Sequence, residues 1–338
     1  MKSIKRICAV LIGFVFFGAG TLKLMDPVGT GLIVGEYFKF LHLGFLAPAS
    51  GVFGVAIALL ETLLGAALIS GVFPVVTGAV SGVVMLLFTA LTFAMWRLNP
   101  PMDCGCFGEA IHLTHLQSFL KNLVLCMLWA VAFIPPSAVR KPRKVKYVSM
   151  GIATVSVVLF AVWSMLGIPP IDFTPFAPGA LLMQADAEPG PDSPLLSVCN
   201  ADGEYCDEAL ASGDLLLFTV YDVDRLSDAG LKRISEGVAS AAGAALTPLI
   251  VASAEMDGAD YSSDRRTLMT VNRSNGGATL LRDGMVVAKW SSRFVPDADA
   301  LAGLMEYDAT EAMVKENTPK RLKLQGYLLY VFAVLLLL

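Results

Sequence analysis

Two cysteines separated by a single glycine lie in the segment NPPMDCGCFGE, residues 99–109, between two long apolar runs. Thiols this close can pass electrons as a dithiol and a disulfide, contribute to a metal site, or pack within a turn. A disulfide between Cys104 and Cys106 would close a very small ring, which forces the bond from its preferred dihedral angle and raises its reduction potential. The spacing therefore suits a labile or catalytic bond better than a structural one. The structural alternative, which stays open, is a tight turn in which Gly105 and Gly108 adopt positive φ and the thiols pack at the mouth of a helical bundle.

Two histidines downstream offer a metal site as a further alternative. Together with Cys104 and Cys106, His112 and His115 would supply two thiolates and two imidazoles, a set that suits zinc or copper. The segment LTHLQ, residues 113–117, also carries the signature of a helix start, with its threonine as the N-cap and its glutamine as the reciprocal partner in a capping box. We therefore predict no metal site and keep this set as the weaker alternative.

A glutamate in the middle of an apolar run is the third candidate for chemistry. A charged carboxylate that faces lipid at this depth costs ~2.5 kcal/mol or more. We therefore expect Glu61 to face the bundle interior, either protonated or paired, with Lys23, Lys121 and Asn122 as candidate partners. Asp26, which follows Lys23 closely, belongs to the same intramembrane polar set. Two interpretations remain: a proton-linked or quinol-linked site beneath the cysteine loop, or a buried glutamate that fixes helix packing.

The composition requires a membrane around these residues. Hydrophobic residues make up 55% of the 338-residue chain and charged residues 16%, against about 25% charged in a soluble domain. Five apolar runs are long enough to span or nearly so: 7–22, 48–72, 74–95, 116–133 and 147–168. Residues 28–46 are apolar but interrupted by glycines and charges, which indicates an interfacial or re-entrant segment. Residues 326–338 would reach only roughly 20 Å as a helix, which indicates a truncated sixth span.

The basic residues predict the orientation of these spans. With a cytoplasmic N-terminus, eight lysines and arginines lie inside, at the N-terminus and in the block 140–146, and four lie outside. The cysteine loop and the soluble half would then be extracytoplasmic. The net charge of −4 indicates no nucleic-acid partner, so membrane lipid is the first expected partner.

The soluble half reads as an α/β domain. The predicted elements follow the order β-α-β-β-β-α, which is typical of a thioredoxin-like fold. They are a buried strand in DLLLFTVYDVD, a helix, a second strand in TPLIVASA, a hairpin that turns at Asp283-Gly284 and a closing helix. No cysteine follows the first strand, and Gly276-Gly277 stands where this fold usually has a cis-proline. The domain is therefore predicted to bind or dock rather than to oxidise, with Arg273 and Asn275 at the docking position.

A second cysteine pair flanks a predicted turn in the same half. Asp202-Gly203 is a strong signal for a two-residue hairpin loop. That register sets Cys199 opposite Cys206, which predicts a structural cross-strand disulfide outside the cytoplasm.

Three segments carry a family resemblance: FFGAGTLKLMDPVG, ALLETLLG and DCGCFGEAIHLTHLQSFLKN. Across residues 5–135 they resemble the DoxX/MauE family of bacterial membrane proteins. The resemblance implies a four-helix core in the bacterial inner membrane and an association with respiratory or periplasmic redox maturation. PPIDFTPFAPG and VNRSNGGATLLRDGMVVAKW resemble the thioredoxin-like domain that accompanies such membrane halves in some bacteria.

These observations predict four parts. They are a four-helix membrane domain at 1–136, a basic cytoplasmic loop with a fifth span at 137–168, an extracytoplasmic thioredoxin-like domain at 169–320 and a partial span at 321–338. The fold class is thus a membrane α-helical bundle followed by an α/β domain.

Two functions fit this organisation, and whether the protein is an enzyme stays open. In the first, Cys104 and Cys106 exchange electrons with periplasmic thiols and the helical core passes the electrons to a quinone. In the second, the protein is a non-catalytic assembly factor whose outer domain binds a periplasmic client protein. No quinone-binding fingerprint is visible in the sequence, so a quinone follows only from the first hypothesis.

Overall fold

The structure is a computed structural model that describes residues 2–134, 142–182 and 194–337. Arg140 and Lys141, two of the basic residues that predict the orientation, lie outside the described residues. The chain forms two compact units, one made of Met1–Ser164 with Gln325–Leu338 and the other of Met165–Leu324.

The first unit is a bundle of helices. They are α1 (Lys2–Met25), α2 (Pro27–Phe40), α3 (Ser50–Ser70), α4 (Pro74–Leu98), α5 (His115–Phe133) and α6 (Lys144–Leu166). Five helical segments are long and apolar enough to cross a membrane, namely α1, α3 with the 3-10 turn before it, α4, α5 and α6. The five predicted spans are confirmed. At 14 residues, or about 21 Å, α2 is too short to cross, and its interfacial or re-entrant position stays a prediction.

Helices α1 and α3 approach each other backbone to backbone. A Cβ atom added at Gly20 would lie 2.5 Å from the backbone nitrogen of Thr62, and one at Gly65 would collide with the backbone of Phe17. Only glycine permits so close an approach, which is a common device of membrane helix pairs. The approach brings the C-terminal half of α1 alongside the middle of α3, where Glu61 lies.

Basic side chains at the start of α1 cap two other helices. Arg6 donates from Nη1 to the carbonyl of Leu68 at 2.8 Å and from Nη2 to the carbonyl of Ile69. Lys5 donates to the carbonyl of Ile134 at 2.9 Å. These bonds satisfy carbonyls that the ends of α3 and α5 leave without helical partners. They also put the start of α1 and the ends of α3 and α5 at one end of the bundle, so the loop between α4 and α5 lies at the other.

The second unit contains a five-stranded sheet of order β4-β3-β2-β5-β6. The strands are β2 (Asp214–Val220), β3 (Thr247–Ala252), β4 (Tyr261–Ser262), β5 (Gly277–Arg282) and β6 (Met285–Trp290). β1 is the short strand Cys106–Glu109 of the first unit. β2 and β3 are parallel, and β5 pairs antiparallel with both β2 and β6.

The helices of this unit complete the thioredoxin-like order. They are α7 (Asp228–Gly243) between β2 and β3, α8 (Arg265–Val271) before β5, and α9 (Ala298–Met305) after β6. The predicted strands, the hairpin and both predicted helices are confirmed, and Asp283 and Gly284 have the positive φ angles that their turn requires. The short elements β4 and α8 were not predicted, because neither is long enough to show a period.

The predicted register around Cys199 is wrong by one residue. Cys199 pairs with Tyr205, not with Cys206, because the Asn200 side chain accepts the backbone N–H groups of Asp202 and Glu204 at 3.0 and 2.9 Å. This Asx turn makes the loop three residues long instead of two. A slip of one residue turns the two thiols to opposite faces of the ribbon. Cys199 and Cys206 form no disulfide in the structure, so the predicted cross-strand disulfide is contradicted as well.

The C-terminal helix α10 (Ala309–Leu337) is continuous over 29 residues. Its last part belongs to the first unit, where Phe332 packs edge-on against Phe17 at 5.1 Å and the carbonyl of Val334 accepts from Ser149 at 2.6 Å. The apolar C-terminal segment is therefore helical and packed against α1 and α6. That it is a truncated sixth span stays a prediction.

Candidate active site

A cavity of about 230 Å³ lies within the helical unit, beside the loop between α4 and α5. Its polar lining consists of Lys23, Thr30, Tyr37, Glu61, Thr92, Cys104, Cys106, Lys121 and Asn122. The remaining walls are mostly aliphatic and aromatic side chains from α1 to α5. The structure thus brings together the predicted site residues of the membrane half, except Asp26 and the two histidines of the alternative metal set, His112 and His115. The Asp26 carboxylate instead caps α2, accepting the N–H of Gly29 at 2.8 Å.

The cysteine loop depends on its glycines. Gly105 and Gly108 have φ angles of +58° and +63°, which confirms their predicted conformation. A Cβ atom at Gly105 would also collide with the side chain of Ile33 in α2. The loop is therefore pressed against α2, which leaves Cys104 buried and Cys106 partly exposed.

Tyr37 is the site residue that the sequence reasoning missed. It lies on α2, and its hydroxyl donates to the backbone carbonyl of Cys104 at 2.6 Å and lies 2.9 Å from the sulfur of Met95. The signal was present, because a tyrosine in an apolar run needs a partner for its hydroxyl. The partner could not be named without knowing how α2 folds against the loop.

The environment of Cys104 favours the protonated thiol. Burial is the largest effect and raises the pKa of the Cys104 thiol, while the Ser118 hydroxyl and the Lys121 ammonium oppose it. The neighbouring Cys106 and Asp103 raise this pKa further. Because the thiolate is the nucleophile, Cys104 is poorly suited to begin an attack near neutral pH.

Glu61 is paired with Lys23, one of its predicted partners. The Lys23 ammonium lies 2.8 Å from Oε1 and 2.6 Å from Oε2, so both carboxylate oxygens are satisfied by one cation. The Glu61 side chain is 4% exposed and the Lys23 side chain is 8% exposed. The Thr30 hydroxyl donates to the Lys23 carbonyl at 3.0 Å, which ties the start of α2 to this pair.

The other two candidate partners make different contacts. Asn122 donates to the Thr92 hydroxyl at 3.1 Å and to the Phe88 carbonyl at 3.2 Å, linking α5 to α4. The Lys121 ammonium lies 4.9 Å from the ring centre of Phe107, next to the cysteine loop. The cavity therefore has a buried ion pair on α1 and α3 and a separate cation on α5.

The structure does not bring the four residues of the alternative metal set together. His112 lies 3.4 Å from the carboxylate of Asp103, and both ring nitrogens of His115 are engaged, with Asn99 at 3.1 Å and with the carbonyl of Met102 at 2.9 Å. Within residues 2–134, 142–182 and 194–337, no three His, Cys, Asp or Glu side chains form a group that could hold a metal ion.

The start of α5 fixes the backbone next to one of these histidines. Thr114 and Gln117 form the predicted capping box there, which is confirmed. This box fixes the backbone at His115, the first residue of the helix.

In the α/β unit, the side chain of Asn275 joins the loop before β5 to the loop after β2. The Asn275 side chain accepts the backbone N–H groups of Tyr221 and Asp222 at 2.9 and 3.0 Å and donates to the carbonyl of Asp222 at 2.8 Å. Arg265 pairs with the Asp222 carboxylate at 2.8 Å, and the carbonyl of Arg273 accepts from the Tyr221 hydroxyl at 3.2 Å. Asn275 therefore holds the loop before β5 against the loop after β2, and neither loop contains a cysteine.

Residues 1–135 match the family model of methylamine utilisation protein MauE. Searches of curated proteins and of solved structures gave no match. The family match covers the helices α1 to α5 and the whole of the thiol cavity, and it ends before α6. The chain is therefore a multi-pass membrane protein whose first 135 residues are MauE-like, followed by an α/β domain with a five-stranded mixed sheet.

Proposed function

We propose that this protein matures extracytoplasmic redox proteins by thiol–disulfide exchange at Cys104 and Cys106. The family match supports an accessory role in maturation of the methylamine-utilisation type. The observation that carries the finer proposal is the convergence of both thiols, a buried ion pair and a further lysine on one cavity. A turn that merely packed two small side chains would need none of these charged groups.

The proposed exchange follows from the different exposure of the two sulfurs. In the oxidised protein, a client thiolate attacks the Sγ of the partly exposed Cys106, and the S–S bond to Cys104 breaks. The Cys104 sulfur leaves and takes up a proton, as its raised pKa favours. A second client thiolate then attacks the mixed disulfide, which releases an oxidised client and leaves two thiols on the protein.

Return to the disulfide needs a two-electron acceptor, for which we propose a quinone in the cavity. Its apolar walls and polar end suit a lipophilic ring with two carbonyl oxygens, and about 230 Å³ is room for a head group rather than a whole drug-sized ligand. A bound quinone would supply the oxidising power. Oxidation of Cys104 and Cys106 to a disulfide would release two electrons and two protons, and a quinone takes up the same two electrons and two protons when it becomes a quinol. Glu61, held in place by Lys23, would relay a proton between them.

We further propose that the thiol loop and the α/β domain face the periplasm and that the N-terminus is cytoplasmic. The distribution of lysine and arginine between the loops supports this orientation. In this arrangement the α/β domain holds the client and the membrane cavity performs the exchange.

A non-catalytic scaffold is the second candidate, favoured by the absence of cysteine from the loop after β2, which Asn275 holds by hydrogen bonds. One comparison separates the two functions: Cys104→Ser with Cys106→Ser, against the matched control Cys126→Ser. Cys126 lies on α5 outside the cavity lining, with its sulfur 3.4 Å from the Thr89 hydroxyl.

The readout is the disulfide content of extracytoplasmic proteins in cells that lack the native gene and carry each variant. We expect the double variant to insert normally but to leave client thiols reduced, while Cys126→Ser behaves as the wild type. If the double variant restores client disulfides fully, while cells without the protein do not form them, the scaffold is the function.

A further inference from the structure

The Ser118 hydroxyl is buried beside the side chain of Cys104. Ser118 lies in the first turn of α5 and has no exposed surface. Its hydroxyl faces the Cys104 thiol closely enough to lower the pKa of that thiol by hydrogen bonding. Even so, the hydroxyl makes no well-formed hydrogen bond to any group of residues 2–134, 142–182 and 194–337. A buried hydroxyl is costly to leave unsatisfied, so this one calls for a stronger acceptor than a neutral thiol.

A cation lies on the same face of α5. Lys121 follows Ser118 by three residues, which makes the two side chains neighbours on the helix surface. Lys121 lines the cavity together with both thiols, and its ammonium also lowers the pKa of the Cys104 thiol. The first turn of a helix adds partial positive charge from its free N–H groups. A hydroxyl donor, an ammonium and a helix start all favour negative charge on the Cys104 sulfur.

The neutral thiol makes little use of this environment. Burial raises the pKa of the Cys104 thiol and outweighs the groups on α5. The other titratable groups that face Cys104 are Cys106 and Asp103 in the loop and Tyr37 on α2, and none of them is a cation. In thiol exchange, negative charge comes to this sulfur when its bond to Cys106 breaks. The groups on α5 therefore match the leaving sulfur rather than the resting thiol.

We propose that Ser118 is a catalytic residue of the exchange, donating a hydrogen bond to the Cys104 sulfur as it leaves, and that Lys121 balances its charge. This role rests on the exchange proposed above. A client thiolate attacks Sγ of Cys106, and the electron pair of the S–S bond goes to Sγ of Cys104. The Ser118 hydroxyl and the Lys121 ammonium stabilise that thiolate until a proton from water neutralises it. Because a stabilised thiolate is the better leaving group, attack is directed to Cys106.

Alkylation of Cys104 as a function of pH tests the stabilisation without a client. Full-length protein carrying Cys106→Ser is labelled with iodoacetamide in detergent, and the modified cysteine is located by mass spectrometry. The test variants are Ser118→Ala and Lys121→Met, and Lys121→Arg keeps the charge. The matched control is Thr21→Val, which removes another buried hydroxyl that has no partner among the described residues. Thr21 lies on α1, outside the cavity lining.

We expect Ser118→Ala to raise the midpoint of Cys104 labelling by about one pH unit, because a hydrogen bond to a charged group is worth roughly tenfold. Lys121→Met should raise the midpoint too, and Lys121→Arg and Thr21→Val should leave it unchanged. A residue that only packed the loop would act in the opposite direction, since its loss would admit water and lower the midpoint. An unchanged or lowered midpoint in Ser118→Ala would overturn the proposal. If Ser118→Ala does not fold, equal midpoints for Lys121→Met and Lys121→Arg would overturn it.

Opening of the disulfide by glutathione is the second measurement, in protein that keeps both cysteines. Exchange rates follow thiol basicity to a power of about 0.4–0.5, so a tenfold loss of thiolate stability should slow opening in Ser118→Ala roughly threefold. An unchanged rate would overturn the role of Ser118 and leave the exchange itself standing. Full restoration of client disulfides by Cys104→Ser with Cys106→Ser would overturn the exchange and this role with it.

Discussion

Removing one partner of the Lys23–Glu61 pair should destabilise the helical unit more than removing both. Each side chain is less than a tenth exposed, and one ammonium satisfies both carboxylate oxygens at 2.6 and 2.8 Å. Breaking a buried pair on one side leaves an unpaired buried charge, at a cost of about 3–5 kcal/mol. Replacing both with apolar or neutral groups of similar volume is close to neutral, because no charge is left buried.

A double-mutant cycle measures this difference. The variants are Glu61→Gln, Lys23→Met and the two combined, and the free energy of unfolding is followed by helix content during titration with denaturing detergent. We expect each single variant to lose about 3–5 kcal/mol and the combined variant to recover most of it. Lys121→Met is the matched control. Its ammonium lies over the Phe107 ring, a contact worth about 0.5–1 kcal/mol at a partly exposed site. Additive losses in the cycle, or a control as damaging as Lys23→Met, would refute the buried pair.

Three further outcomes test the geometry of the cysteine loop. Gly105→Ala should disrupt the loop and speed alkylation of Cys104, because its Cβ would collide with Ile33. Gly108→Ala carries only the penalty for positive φ, roughly 1–2 kcal/mol, and should change labelling much less. In a Cys106→Ser background, iodoacetamide should modify Cys104 slowly at pH 8.5, the pH at which an ordinary thiol is about half ionised. The rate should keep rising above that pH, because burial raises the pKa of the Cys104 thiol. A half-maximal rate at or below pH 8.5 would contradict the buried thiol. Tyr37→Phe should make Cys104 more reactive without loss of membrane insertion, because it removes the hydrogen bond from the Tyr37 hydroxyl to the Cys104 carbonyl. Unchanged labelling of Cys104 would show that this hydrogen bond does not position the loop.

The parts of the fold that were predictable are those set by neighbouring residues. Five spans follow from the length of apolar runs, the start of α5 from a capping box, and the β5–β6 turn from Asp283-Gly284. The register predicted for the hairpin at Cys199 was wrong, although it rested on the same kind of local turn signal. There an Asp-Gly pair competed with an Asn side chain two residues earlier, and the Asn side chain's hydrogen bonds set the register.

The candidate site was predictable in its members but not in its arrangement. Cysteines and charges in apolar surroundings are visible in any sequence, so Cys104, Cys106, Glu61 and Lys23 could be selected. Their convergence depends on how closely α1 meets α3 and on how α2 covers the loop. That is tertiary packing, and it is also why Tyr37 was missed.

The most direct test of the thiol proposal is the redox state of Cys104 and Cys106 in the presence of a quinone. Purified protein is reduced, freed of reductant and mixed with a short-chain ubiquinone, and the remaining thiols are alkylated and located by mass spectrometry. We expect these two thiols to disappear together, one pair for each quinone reduced, while Cys126 stays alkylated. Two thiols that remain fully alkylated after the quinone is added would contradict a redox role for the cavity.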